Sequence, residues 1–171
     1  MQKPFIVALV YSLLFIATIC FTFYGGHTQY VTHAYLIGLV CMLPFVFIAI
    51  LWQRQTVFGG IISGKGAVKE GLKFVLMSTL IIIIFQSVFF EKSFRDFKIS
   101  YMQTVGPKVI KEEIAAGKTK LTEDQIPKAI ALDVADVTLF KEVTSVIFKN
   151  IFYGMFSSFV AAIFLKRNSN G

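Results

Sequence analysis

PFIVALVYSLLFIATICFTFY, from Pro4 to Tyr24, decides the fold because this apolar run contains no charged residue. Its length matches the roughly 20 residues that a helix needs to cross a hydrocarbon core about 30 Å thick. The run is too long for a secretory signal, and no A-x-A-like cleavage site follows it. We therefore expect it to remain attached as a transmembrane helix.

Three further apolar runs follow, at about 31–52, 71–90 and 147–165, and none has a charge at its centre. The whole chain of 171 residues is 56% hydrophobic and 16% charged, which is unusual for a soluble domain. Unpaired backbone groups cannot face lipid, and four short runs cannot close a barrel, so each run must be a helix. The sequence predicts an all-α, integral membrane four-helix bundle that forms a single domain over residues 1–171.

The distribution of basic residues predicts the orientation. Basic residues occur at the N-terminus, in the connection between the second and third spans, and at the C-terminus: Lys3, Arg54, Lys65, Lys69, Lys73, Lys166 and Arg167. The connection between the first and second spans, at 25–31, has no lysine or arginine. By the positive-inside rule, both termini should be cytoplasmic in a multi-pass protein. The third connection, about 91–146, carries nine bases and nine acids and is expected outside.

Small residues recur at helical spacing in two of the spans. Gly154, Ser158 and Ala162 lie four residues apart in the last span, and Ala34 and Gly38 form a shorter version in the second span. Such stripes let two helix backbones approach closely. Packing inside the bundle is the favoured interpretation, and a homodimer contact is the alternative.

Thr79 and Gln86 form a polar stripe in the third span, because seven residues bring both side chains to one helix face. Hydrogen bonds between membrane helices contribute about 0.6 kcal/mol on average. A structural role explains the pair, and a transport path is the alternative.

The third connection shows helical amphipathicity that a simple loop does not need. An apolar stripe begins with Phe94, Phe97 and Tyr101, and Gly106-Pro107 interrupts it. A short helix should continue to about Ala116, where Gly117 ends it.

A second outer helix should follow this break. Thr122 and Gln125 have the spacing of a capping box, and Ile130 and Val134 then share an apolar face. The segment is predicted to fold as an extracytoplasmic amphipathic helical hairpin, packed on itself, on lipid or on a partner.

Motifs for chemistry are weak. Gly59 to Gly66 reads GGIISGKG, one residue short of a phosphate-binding loop, because Gly66 has no hydroxyl for magnesium. His27 and His33 lack a nearby acid or cysteine, so we expect no metal site. We expect no catalytic residue, no cofactor and no enzymatic activity, and the basic residues are expected to face lipid headgroups rather than nucleic acid.

Two stretches resemble the domain-of-unknown-function family 4199, small four-span membrane proteins typical of Bacteroidota. GGIISGKGAVKEGLK, from Gly59 to Lys73, is similar to the family's glycine, Ile-Ser and Ala-x-Lys-x-Gly pattern, and LTEDQI, from Leu121 to Ile126, to its Gly-Met-Ser-Glu-Glu-Gln-Ile stretch. The chain departs from the family at Pro127. The resemblance implies a bacterial inner membrane location, no established activity and genes often near a family 2 glycosyltransferase.

Three functions remain open at this point. The leading hypothesis is a non-enzymatic accessory or scaffold subunit that binds another membrane protein, or itself, within membrane lipids. The alternative is a helper that handles lipid or polyprenyl-linked glycan, and the third is a small transporter or channel.

Overall fold

The structure is a computed structural model that describes residues 3–27 and 31–166. Over these residues the chain is helical and contains no strand. The helices are α1 (Lys3–Tyr24), α2 (Val31–Thr56), α3 (Gly64–Phe89), α4 (Arg95–Thr104), α5 (Gly106–Ala115), α6 (Ile126–Ala135) and α7 (Leu139–Leu165). α1, α2, α3 and α7 are long and apolar enough to cross a membrane. The predicted all-α membrane fold with four spans is thus confirmed.

α3 and α7 begin earlier than the apolar runs that predicted them. Ser63 caps α3, because its Oγ accepts the N–H of Gly66 at 3.1 Å and its carbonyl accepts the N–H of Ala67 at 2.9 Å. Thr138 caps α7 in the same way, with the N–H of Lys141 3.3 Å from its Oγ1. The caps decide where a helix begins, and both caps lie in polar sequence beyond the apolar runs.

The glycine-rich segment is a turn only in its first part. Gly59 and Gly60 have φ of 60° and 87°, a left-handed conformation that residues with a Cβ adopt rarely. From Gly64 onward the chain is already helical. The last three residues of GGIISGKG therefore belong to the first turn of α3.

The chain divides into two compact units. Unit 1 comprises Met1–Phe85 and Val146–Gly171, and unit 2 comprises Gln86–Ser145. Unit 1 contains α1, α2, most of α3 and most of α7. Unit 2 contains α4, α5 and α6 with the adjoining ends of α3 and α7.

Tyr11 lies at the centre of unit 1. Its buried hydroxyl donates to the carbonyl of Gly38 at 2.9 Å, and its ring lies 5.4 Å from that of Phe45 and 5.5 Å from that of Phe74. A Cβ on Gly38 would overlap the ring of Phe15. The absence of a side chain at Gly38 thus lets α1 and α2 approach closely.

α3 and α7 also approach closely in unit 1. A Cβ on Gly154 would overlap the Val75 side chain, and a Cβ on Gly71 would lie 2.5 Å from Ser158 Oγ. Ser158 itself donates back to the carbonyl of Gly154 at 2.7 Å, which satisfies its hydroxyl without a partner on another helix. Small residues on both helices therefore permit this contact.

Unit 2 is a cluster of three short helices. α4 contacts both α5 and α6, and α5 contacts α6. A π-helical turn, Phe90–Phe94, separates α3 from α4, and the N–H of Arg95 donates to the carbonyl of Phe90. The segment predicted as a hairpin thus contains a first arm that is divided into α4 and α5.

Local signals define the turns of unit 2. Gly117 has a φ of 67° just after α5. The capping box of Thr122 and Gln125 is formed, and the N–H of Thr122 donates to Gln125 Oε1 at 3.2 Å. The box caps a single 3₁₀ turn, Glu123–Gln125, which leads into α6 with Pro127 in its first turn. Proline is compatible with that position because no intrahelical bond is lost there.

Candidate functional site

The small residues predicted to be helix contacts are all buried in unit 1: Ala34, Gly38, Gly154, Ser158 and Ala162. Gly38 lies against Phe15, and Gly154 lies against Val75. These contacts are made between helices of the same chain.

Thr79 and Gln86 are both buried, but they belong to different units. Thr79 is 4% exposed in unit 1, and its Oγ1 has no hydrogen-bond partner among the described residues. Gln86 is fully buried in unit 2, where its Nε2 donates to Glu142 Oε1 at 3.3 Å. The two side chains therefore differ in hydrogen bonding, since only Gln86 has a partner shown among the described residues.

Glu142 joins three elements of unit 2. Its Oε2 forms an ion pair with Lys98 Nζ of α4 at 2.8 Å, and its Oε1 accepts from Gln86 of α3. It lies in the first turn of α7, where the helix dipole favours a negative charge. Lys98 Nζ also lies 5.8 Å from the centroid of the Phe94 ring. The network ties the first turns of α7 to α3 and α4 within unit 2.

A ladder of aromatic rings runs from α3 into α4. The ring centroids of Phe89 and Phe94 are 5.5 Å apart, those of Phe94 and Phe97 are 6.0 Å apart, and those of Phe97 and Tyr101 are 6.1 Å apart. Such pairs contribute about 0.5–1.5 kcal/mol beyond their burial. Phe94 is buried and Phe97 half-buried, whereas Tyr101 is 48% exposed. The predicted apolar face thus passes from the interior of unit 2 to its surface.

Unit 2 also has an open groove of about 720 Å³. Its apolar lining comes from α5 and α6: Pro107, Ile126, Pro127, Ile130, Ala131 and Val134. Gln103, Lys111 and Glu123 supply its polar part, and Lys111 Nζ lies 3.8 Å from Glu123 Oε2. Ile130 also approaches Gly106, whose Cβ would lie 2.7 Å from Ile130 Cδ1. Ile130 and Val134 of the predicted outer face therefore line this groove.

Glu70 is a buried polar residue that sequence reasoning missed. It is 3% exposed in unit 1, accepts from Gln53 Nε2 at 3.2 Å and pairs with Lys73 Nζ at 2.7 Å. Nearby on α2, Arg54 Nη1 donates to the carbonyl of Leu165 at 3.2 Å, and its Nε has no partner among the described residues. Two features of the sequence could have pointed to Glu70. It is an isolated acid among basic residues, and it lies three residues before Lys73.

Two contacts bring together helix ends of unit 1 that carry the basic residues used to predict the orientation. Lys3 Nζ lies 5.3 Å from the centroid of the Trp52 ring, so the beginning of α1 lies beside the end of α2. The Arg54–Leu165 bond places the end of α7 beside the end of α2. Arg167, which also belongs to the predicted basic set, lies outside the described residues.

The described residues show no group of three or more His, Cys, Asp or Glu side chains suited to a metal ion. His27 and His33 are both exposed.

A family model matches nearly the whole chain. The family model described as "Protein of unknown function (DUF4199)" matches residues 5–167. Searches of curated proteins and of solved structures give no match. The matched region includes both quoted stretches and extends across both units, and the chain belongs to the domain-of-unknown-function family 4199.

Proposed function

We propose that this chain is a non-enzymatic accessory subunit in the bacterial inner membrane. In this proposal unit 2 binds a segment of another membrane protein. The groove on unit 2 carries this proposal. Both termini are cytoplasmic in the proposed arrangement, and unit 2 lies on the extracytoplasmic side. The absence of bases from the α1–α2 connection and their concentration at the other end of unit 1 support this orientation.

The lining of the groove suits a peptide or helix with apolar side chains. Two prolines and the β-branched residues Ile126, Ile130 and Val134 give it a stiff apolar floor. Gln103 and the Lys111–Glu123 pair at its polar part supply donors and acceptors that fix the orientation of a ligand. Helix-in-groove recognition uses this combination of apolar anchors and polar edges.

The charge of unit 2 favours such a partner over the membrane surface. Unit 2 has nine basic and nine acidic residues, so it has no formal net charge. Anionic headgroups attract segments with net positive charge, and unit 2 has no net positive charge. Shape and apolar contact therefore have to provide the affinity.

Photocrosslinking in intact cells tests the proposal. A photoreactive amino acid at Gln103, an exposed residue of the groove lining, should capture one membrane protein. The same residue at Asp133, which is exposed on α6 outside the groove lining, is the matched control. Ala131→Trp should abolish the Gln103 crosslink, because the indole would occupy the groove.

Two results would contradict the proposal. One is capture of the same protein with equal yield from Gln103 and Asp133. The other is a Gln103 crosslink that persists in an Ala131→Trp chain that retains the wild-type thermal midpoint.

The alternative, a helper for lipid or polyprenyl-linked glycan, is supported by Thr79. A buried hydroxyl without a partner costs about 1–3 kcal/mol, and a polar ligand group would remove that cost. Under this alternative, Thr79→Val should impair function while crosslinking from Gln103 stays unchanged. Under the accessory-subunit proposal, both should stay unchanged.

A further inference from the structure

All of the formal net charge of the chain belongs to unit 1. Unit 1 contains eight of the seventeen lysines and arginines but only one of the ten acids, Glu70. Lys73 and Gln53 already engage that carboxylate. The remaining bases of unit 1 therefore have no second acid in this unit to pair with.

Two of these bases, Lys65 and Lys166, line a groove of about 440 Å³ between the beginning of α3 and the end of α7. Gly64, Val68, Phe159, Ala162 and Ile163 complete its lining. Lys166 Cδ is the nearest atom to the position of a Cβ on Gly64, at 3.9 Å. The Lys166 stem thus lies against the first turn of α3, and both lysines line the same groove.

The apolar part of this groove faces outward from unit 1. Phe159 and Ile163 are 53% and 66% exposed, and they belong to a helix that is long and apolar enough to span the membrane. At a rise of 1.5 Å per residue, Phe159 lies about 10 Å along the axis from Lys166. The groove therefore combines an apolar wall on a helix of membrane-spanning length with positive charge near the end of that helix, an order that matches the acyl chains and headgroup of a lipid.

We propose that this groove binds an anionic glycerophospholipid. Its phosphate lies between Lys65 and Lys166, and one acyl chain lies along Phe159 and Ile163. A soluble anion would leave the apolar wall uncovered, and a zwitterionic lipid would bring a cation toward the two lysines. The positive end of the α3 dipole, which begins at Gly64, adds to the attraction for the phosphate. This inference does not depend on the function proposed for unit 2.

Native mass spectrometry of the full chain in detergent tests the proposal. The probes are phosphatidylglycerol and phosphatidylcholine with the same acyl chains. The wild type should retain phosphatidylglycerol preferentially. The Lys65→Gln/Lys166→Gln double variant should bind phosphatidylglycerol about 25-fold more weakly, at about fivefold per lysine near a lipid headgroup.

Two control variants separate the site from the general charge of unit 1. Lys65→Arg/Lys166→Arg keeps both charges and should retain the preference. Lys149→Gln removes one charge from an exposed position on α7 outside the groove lining and should also retain it. Both controls should unfold at the same temperature as the double glutamine variant.

Three results would overturn the proposal. The first is unchanged phosphatidylglycerol binding by the double glutamine variant. The second is equal retention of the two lipids by the wild type. The third is displacement of bound phosphatidylglycerol by millimolar inorganic phosphate, which would identify a site for free phosphate.

Discussion

Gly154→Ala is the smallest substitution that tests the contact between α3 and α7. Cβ of the new alanine would overlap Cγ1 and Cγ2 of Val75 and would lie 3.0 Å from Val75 Cβ. Valine is stiff at χ1, and its Cβ cannot move by rotation, so a change of rotamer cannot relieve the overlap. The two helices have to separate.

The magnitude follows from two opposing effects. Extra atoms in a well-packed core cost about 1–3 kcal/mol. Alanine in a helix interior is favoured over glycine by about 1 kcal/mol. We therefore expect Gly154→Ala to lower the free energy of unfolding by up to about 2 kcal/mol. In a Val75→Ala background the overlaps with Cγ1 and Cγ2 are gone and only the 3.0 Å contact between the two Cβ atoms remains, so the same substitution should lower the free energy of unfolding less or not at all.

A double-mutant cycle measures this coupling. The free energy of unfolding of the detergent-solubilised chain is followed by circular dichroism during titration with sodium dodecyl sulfate. The two substitutions should be coupled by about 1–3 kcal/mol. Gly64→Ala is the matched control, because its Cβ would meet only Lys166 Cδ at 3.9 Å, an ordinary contact. Effects of Gly154→Ala and Val75→Ala that add within about 0.5 kcal/mol would refute the close approach.

Two other substitutions, each with a control substitution, address unit 1 and unit 2 in turn. Tyr11→Phe removes the hydroxyl that donates to Gly38 and should lower the free energy of unfolding by about 0.5–1.5 kcal/mol, whereas Tyr153→Phe, at an exposed position, should change it little. Equal effects of the two would contradict the buried bond. Ile130→Glu places a charge between α5 and α6 and should accelerate protease cleavage within unit 2, whereas Leu132→Glu on the exposed side of α6 should not. Rapid cleavage of the unmodified chain would show that unit 2 is not an ordered unit.

The parts of the fold set by local chemistry were predictable from the sequence. Four apolar runs of membrane length predicted four spans, because lipid requires a helix wherever the chain crosses. Gly117 and the Thr122–Gln125 pair marked turns through interactions within a few residues of chain. These features depend on residue type and spacing alone.

The features that depend on tertiary packing were not predictable. Hydropathy placed the start of the third span after Glu70, whereas the cap at Ser63 starts α3 earlier and makes Glu70 part of the helix. Its carboxylate accepts a hydrogen bond from Gln53, which α2 brings into place. Similarly, the spacing of Gln86 from Thr79 gave no indication of its bond to Glu142, which requires the first turn of α7. The π-helical turn at Phe90–Phe94 has no recognised sequence signal.

Labelling of single cysteines tests the account of a four-span chain with unit 2 outside most directly. In a background without Cys20 and Cys41, one cysteine replaces Val57, exposed in the α2–α3 connection, and another replaces Lys120, exposed in unit 2. In intact spheroplasts an impermeant thiol reagent should label the cysteine at Lys120 and not the one at Val57, and both should react after permeabilisation. Labelling of the Val57 position alone before permeabilisation would reverse the orientation, and labelling of both would contradict the four-span topology.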